Sequence, residues 1–395
     1  MARPVKVLLV ATHPVQYAAP LDRLYAKDPR IDLTVAYCSL QGAEAGLDPD
    51  FGEDFSWDIP LLDGYRWVHP ANRSPKPRIR GFFGLINPGL WGLVRAGDFD
   101  VVVCYGYRTV SFWIAAIAAK RSGSALVFTT DAHSWDVREG LRWKAAIKRL
   151  VVPRIFSFGD AVLAPSSATT DHLRQMGVDE QRIFLTPYVV DNQFFARPEV
   201  GSRFQVRRSW GVPDDAPVAL YVAKLVSWKR PQDLLKAAAR VEGLHVVLAG
   251  SGALRPELEV LAAQNDLSSR VHFLGFVNQR QLPAIYAASD FLVLPSEYEP
   301  FGLVVNEAFA SGRTAVVSEA CGSVGDLVID GETGYVVPVG DLETLILRLK
   351  SLAWDDELRA SLSENAHSRI ERWSPAANVA AFVGALSELV RGGLT

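Results

Sequence analysis

Short apolar runs, continuous rather than alternating, punctuate the first half of the chain: KVLLVAT, DLTVAYC, DVVVCYG, ALVFTTD, AVLAPS and RIFLTP. Stretches of helical spacing separate them. A strand that is apolar at every position has both faces covered, whereas a face in water would give alternation, so these runs predict a parallel sheet between two layers of helices. The rhythm restarts at Pro217 with PVALYVAKL, LHVVLAGSG, RVHFLGFV, FLVLPSE, TAVVSEA and TGYVVPVG. Between the two series, FFARPEVGSRFQVRRSWGVPDDAP mixes Pro, Gly and charge, which places the boundary between Phe194 and Val212. The pattern therefore predicts an α/β protein of two doubly wound, Rossmann-like domains, residues 1–200 and 201–374. A last helix from Pro375 to Arg391, within residues 375–395, is expected to return to the N-terminal domain. Open α/β sheets bind ligands beyond the carboxyl ends of their strands, so a cleft between the domains is the expected ligand site. The residues just past those ends are His13, Tyr105, His133, Ser166, Lys224, Gly250 and Glu299.

Composition narrows the class without naming the chemistry. At 395 residues the chain exceeds one usual core, and 49% hydrophobic with 22% charged residues describes a folded globular protein. A formal charge of −3 and the lack of a recognition motif argue against nucleic acid as partner. The three cysteines, Cys38, Cys104 and Cys321, are far apart and odd in number, which suits a reducing cytoplasm better than a disulfide framework. The N-terminal MARPVKVLLVATHPVQY reads as a first strand rather than a signal peptide, and no apolar run is long enough to span a bilayer.

The densest chemistry lies in EPFGLVVNE, residues 299–307, where two glutamates enclose seven residues. FLVLPSEY leads in and SGRTAVVS leads out, so the segment reads as strand, loop, helix, strand. Gly302 and Leu303 then sit at a helix N-terminus, whose unpaired amides and positive dipole end favour an anion such as phosphate. Glu307 falls inside the helix and Glu299 before it. Lys224 and Lys229, in AKLVSWKRPQDLL, follow the first strand of the second half. In isolation they read as a solvated basic turn; sharing a sheet edge with that helix N-terminus, they read as the cations of a diphosphate site. Gly250 and Gly252, in GSG, follow the next strand and suit either a tight helix-starting turn or close approach of a nucleotide.

The segments AKLVSWKRPQDLL, VLAGSG, VHFLGFV, FLVLPSEYEPFGLVVNEAFASGRTAVVS and GETGYVVP together resemble the carboxyl-terminal domain of retaining GT-B glycosyltransferases of family 4 over about residues 217–340. DVVVCYGY, TTDAHSW and GDAVLAPSSATTDHL extend a looser resemblance to the first half. The resemblance implies the GT-B fold, two Rossmann-like domains facing a central cleft, and a nucleotide-diphosphate sugar as donor. It gives Glu307 the donor ribose and Glu299 the donor sugar. The amides of Phe301, Gly302 and Leu303, with Pro300 beside them in the donor-binding segment, would hold sugar hydroxyls and the distal phosphate, and Lys224 and Lys229 would neutralise the diphosphate. Phe276 and Val277 stand where the family's backbone meets the base, alongside Gly250 and Gly252, and His133 resembles the histidine that approaches the donor sugar. His13 and His133 otherwise read as histidines that cap loops.

The chain departs from the family in two places. Ala223 and Lys224 stand where members often carry Gly-Arg, and THPVQYAAPL replaces a Gly-Gly first loop, which makes His13, Gln16 and Tyr17 candidates for contact with a hydroxyl acceptor. With no Asp-x-Asp motif at the strand ends and no cluster of metal ligands, the expected transfer needs neither metal nor cofactor. Glycosidase-like paired acids, nucleotide-sugar epimerisation and a silent nucleotide-sugar binder are the competing readings. Two basic and apolar segments, residues 76–93 and 138–154, are candidates for peripheral contact with an anionic membrane, set against packed helices with solvated basic faces.

Overall fold

The computed structural model describes residues 3–44, 46–48, 53–135, 142–197 and 203–391. The first series of elements comprises β1 (Val5–Ala11), α1 (Ala18–Lys27), β2 (Ile31–Tyr37), the pair β3 (Gly46–Asp48) and β4 (Glu53–Phe55), β5 (Trp67–Val68), α2 (Gly89–Gly97), β6 (Val101–Cys104) and α3 (Val110–Ser122). It continues with β7 (Ala125–Thr129), α4 (Arg142–Phe158), β8 (Ala161–Ala164), α5 (Ser167–Gln175) and β9 (Ile183–Leu185). The second series begins with α6 (Asn192–Ala196), α7 (Arg203–Trp210), β10 (Val218–Val222), α8 (Pro231–Ala238), β11 (His245–Ala249), α9 (Arg255–Gln264), β12 (Val271–Gly275) and α10 (Leu282–Ala288). It ends with β13 (Phe291–Leu294), α11 (Leu303–Ala310), β14 (Thr314–Ser318), β15 (Gly334–Val337), α12 (Leu342–Trp354), α13 (Asp356–Arg372) and α14 (Pro375–Arg391).

Both sheets are parallel. The first runs β5-β2-β1-β6-β7-β8-β9 and the second β12-β11-β10-β13-β14-β15. Each carries the 3-2-1-4-5-6 order of a doubly wound fold, with the reversal of direction beside its first strand, where such sheets take their ligands. The apolar runs behave as their continuity predicts: every residue of β6, β8, β11, β13 and β14 is buried. Leu8 and Val10 enter one core layer while Val7 and Leu9 enter the other, so successive side chains of β1 serve opposite faces of the sheet.

The chain divides into two units, but not at the expected place. One unit comprises residues 1–46, 59–188 and 375–395; the other comprises 47–58 and 189–374. The boundary thus falls at Tyr188/Val189, ahead of the Pro- and charge-rich segment and of the expected break at residue 200. The reason is α6: Phe195 is buried with its ring 6.0 Å from Tyr286, Ser311 donates to the Phe195 carbonyl at 3.1 Å, and Asn192 donates to the Ile370 carbonyl at 2.9 Å. All of these partners belong to the second unit.

The last helix belongs with the first unit, where Phe382 packs 4.4 Å from the ring of Tyr25 and Asn378 donates to the Pro187 carbonyl at 2.7 Å. The β3–β4 pair had no counterpart in the sequence reading. The residues that follow it attach to the second unit through Asn278, whose side chain donates to the Ser56 carbonyl at 2.8 Å and accepts from the Asp58 amide at 3.2 Å.

Candidate active site

The site in the second unit is assembled at the carboxyl ends of β10, β11, β12 and β13. The turn after β13 reaches α11 through Gly302, the residue that caps the helix, at a φ of +88°. A side chain there would be strained by the dihedral and crowded as well, since an added Cβ meets Cys321 Sγ at 2.9 Å and Glu299 Cγ at 3.2 Å. Phe301 points the other way. Its ring is 1% exposed and stacks on Trp373 at 6.2 Å, so it anchors the turn in the core and offers a ligand only its backbone. Anchored in this way, the turn leads into the first turn of α11, where a helix leaves amides without an intrahelical partner.

Glu299 and Lys229 meet directly, the ammonium donating to Oε2 of the carboxylate, and both are largely shielded from water. Their loops are joined twice, because the Glu297 amide also donates to the Trp228 carbonyl at 2.8 Å. Lys224 lies at the exit of β10, its carbonyl accepting from the Tyr221 hydroxyl at 3.2 Å. Arg230 is committed elsewhere, its Nε 2.6 Å from Asp233 at the start of α8.

Glu307 is buried, 7% exposed, and accepts from the Tyr286 hydroxyl at 2.7 Å. Burial pushes its carboxyl up to about 7, against the lowering effect of that hydrogen bond. A buried carboxyl with one phenolic donor is under-supplied with partners when ionised, and a vicinal diol would supply the two donors it lacks. Tyr286 was not foreseen from the sequence. A phenol on the buried face of LPAIYAA was the available signal, because a buried tyrosine hydroxyl requires a partner.

The glycines of the GSG turn have a structural reason. A Cβ at Gly250 or Gly252 would collide with the carbonyls of Ala223 and Leu225 respectively, and the Leu225 amide donates to the Ser251 carbonyl at 2.9 Å. The turn is thereby locked to the loop that carries Lys224. Phe276 and Val277 leave β12 at its end, half-buried, and the Phe276 ring lies 6.0 Å from that of Trp57. Pro300 is half-buried in the turn between Glu299 and α11.

The first unit gathers different chemistry. His13 and Tyr17 line a cavity at the ends of β1, β2, β6 and β7, with Asp22, Tyr37, Tyr105 and Tyr188; Gln16 is not part of its wall. His13 Nδ1 lies 2.9 Å from Thr12 Oγ1, and Tyr17, at the start of α1, is pushed up to about 12 by burial and by Asp131. His133 follows β7, half-buried, with residues 136–141 beyond it outside the described set. In segment 76–93, Lys76, Arg78, Arg80, Phe82 and Phe83 are exposed while Leu85 and Leu90 are core. The second basic segment falls partly outside the described residues; on α4, Ile147, Leu150 and Val151 are exposed. No helix among the described residues is long and apolar enough to cross a membrane. Nor do they gather three or more His, Cys, Asp or Glu side chains as a metal would require.

Comparison with known proteins identifies the family and the fold. The family of glycosyl transferases group 1 matches residues 202–369, and the glycosyl transferase 4-like domain matches residues 53–188. The chain belongs to the GT-B glycosyltransferases of group 1. Among relatives of this family, an alpha-D-kanosaminyltransferase of Streptomyces kanamyceticus is 32% identical over 52% of this chain and 54% of its own length. A D-inositol 3-phosphate glycosyltransferase of Streptomyces avermitilis is 30% identical over 74% of this chain and 66% of its own. The chain thus spans about half to two thirds of the length of these two relatives. The crystal structure of Anabaena HepE in complex with UDP and glucose superposes over 97% of this chain and 100% of that one, with a TM-score of 0.75 at 20% identity. That likeness establishes the GT-B fold of two Rossmann-like domains.

Proposed function

We propose that this group 1 family member transfers a sugar, with retention of anomeric configuration, from a nucleotide-diphosphate donor to a hydroxyl acceptor without a divalent metal. The observation that carries the reading is the convergence of Lys229, Glu299 and the N-terminus of α11 on one loop system, with Glu307 on the same helix. Breaking the bond between the anomeric carbon and the phosphate oxygen leaves charge on the diphosphate. Lysine and oriented amides stabilise that charge without reorganising, as a fixed electrostatic site does. When a diphosphate arrives, it competes with Glu299 for the Lys229 ammonium. The released carboxylate is then available to sugar hydroxyls, while Glu307 accepts from the ribose.

The new bond joins the acceptor oxygen to the anomeric carbon, and the acceptor proton goes to the departing phosphate oxygen on the same face. Nothing on α11 pairs Glu299 and Glu307 as acid and base across one bond: one precedes the helix and the other lies within it. Two observations support the donor assignment. HepE was crystallised with UDP and glucose, and the related chains are named as glycosyltransferases. The acceptor class is left open by those names, since one relative is named for D-inositol 3-phosphate and another for kanosaminyl transfer.

A panel of nucleotide sugars, assayed for binding and for nucleotide release with and without EDTA, tests the proposal. Release is expected to be insensitive to EDTA. Strong metal dependence would overturn the lysine and helix account, and failure to bind any nucleotide sugar would overturn the donor assignment.

A further inference from the structure

The cavity in the first unit has a composition that selects among acceptors. We propose that it holds a single polyol ring bearing an amine, and that it rejects a phosphorylated one. This deepens the transferase reading and rests on it, the occupant being the acceptor. The cavity measures about 200 Å³. At about 30 Å³ for each water, that is room for roughly six or seven waters, or one six-membered ring with its substituents.

Its polar wall is one-sided in charge. Asp22 and Asp131 contribute carboxyls, Tyr17, Tyr37, Tyr105 and Tyr188 contribute phenols, and no lysine or arginine lines it among the described residues. Asp22, on the inner face of α1, is 4% exposed and accepts from the Tyr37 hydroxyl at 3.3 Å. Tyr37 in turn shares a hydrogen bond of 2.7 Å with the Tyr65 hydroxyl. The adjacent cation, Arg23, points its guanidinium at backbone oxygens, bonding the Asp63 carbonyl at 2.9 Å and that of Pro60.

Asp22 is therefore a buried carboxyl in a hollow whose described wall holds His13 but no lysine or arginine. Burial drives the acid up to about 7, over the opposing effects of Tyr37 and Arg23. A phosphate placed beside the buried Asp22 would lose its hydration and meet no lysine or arginine, His13 being the basic side chain that the described lining holds. An ammonium reverses the balance: it gives Asp22 a charge-assisted hydrogen bond and finds phenol faces around it. The tyrosine hydroxyls, each able to donate and accept, match the remaining ring hydroxyls.

The test is binding to the full-length chain, without donor, of three probes: D-glucosamine, D-glucose and D-glucose 6-phosphate. Glucosamine is expected to bind about tenfold more tightly than glucose, the size of one charge-assisted hydrogen bond. Glucose 6-phosphate is expected to bind more weakly than either. This ranking in the native protein decides the matter without any variant. Equal binding of glucosamine and glucose, tighter binding of the phosphate, or no binding of any probe would overturn the proposal.

Asp22→Asn should then abolish the preference for the amine, so that the glucosamine and glucose affinities of the variant fall within about twofold of each other. A preference that survives the substitution places the amine elsewhere and also overturns it. Loss of nucleotide binding alongside an intact glucosamine preference would count against the transferase reading and not against this pocket.

Discussion

The two units share one fold and differ in how their polar groups are supplied. In the second, the groups assigned to the proposed donor are backbone amides and charged side chains on loops bonded to each other, with Lys229 held by Glu299 and the Trp228 carbonyl held by the Glu297 amide. In the first, the polar groups are phenols and a carboxyl sunk between a helix and a sheet. A diphosphate needs fixed positive potential, which a helix end and a lysine shielded from water beside Glu299 can provide. A small uncharged or cationic ring needs enclosure and many weak polar contacts. The same architecture thus yields an electrostatic seat in one unit and a shaped hollow in the other.

The largest expected effect sharpens that contrast on the side of packing. Phe301→Ala removes the ring stacked on Trp373 and should destabilise the protein by about 3–5 kcal/mol, read as a lower denaturant midpoint. A loss below about 1 kcal/mol would mean that the turn before α11 is not anchored by that ring. Next comes Lys229→Ala, for which transfer is expected to fall on the order of 10²–10³-fold, the range seen when one fixed electrostatic donor is removed. A stability change without a rate change would make Lys229 a structural partner of Glu299 and nothing more.

Glu307→Gln should weaken nucleotide binding by roughly tenfold at pH 8, measured by calorimetry. The pH dependence has a definite sign. The free carboxyl titrates near 7, and ribose hydroxyl donors favour its ionised form. Native affinity should therefore rise with pH up to about 7, with proton release on binding below that point, and Glu307→Gln should flatten this component.

The smallest effect concerns Asp22. Its folded-state acid sits near 7, above the ordinary carboxylate value, so the folded form binds more protons and stability falls as pH rises from about 4 to 7. Asp22→Asn removes that loss and should raise Tm by a few degrees at pH 8 and by nothing at pH 4. An unchanged Tm at pH 8 would show that Asp22 is not desolvated, and a change in nucleotide affinity would break the division between the units.

How much of this was legible in the sequence follows the same contrast. Continuous apolar runs carried both sheets, because full burial leaves a signature in every residue of a strand such as VVVC or FLVL. The turn and helix of the candidate donor site were legible because their residues are close in sequence: Glu299, Gly302 and Glu307 lie within nine residues, and the structure puts Gly302 at the cap of α11 and Glu307 inside it. The hollow was legible only in part: Tyr105 and His13 stand just past strand ends, whereas Asp22, Tyr37 and Tyr188 come from separate stretches of the chain that only folding brings together. His13 and Tyr17 were reached only through their place after the first strand. The unit boundary was misplaced for a related reason: Pro, Gly and charge mark exposed chain, but which unit α6 joins is decided by Phe195 against Tyr286.

Helix α14 closes the first unit with residues from the far end of the polypeptide. The Tyr25 hydroxyl bonds Asn378 across a separation of 353 positions. During synthesis the strands of the first unit leave the ribosome well before that partner exists, so the layer that Phe382 finally covers must wait, uncovered, while the entire second unit is translated. A fragment that stops at Tyr188 would carry the whole first sheet and still lack the part of one face that Phe382, Val383 and Leu386 cover.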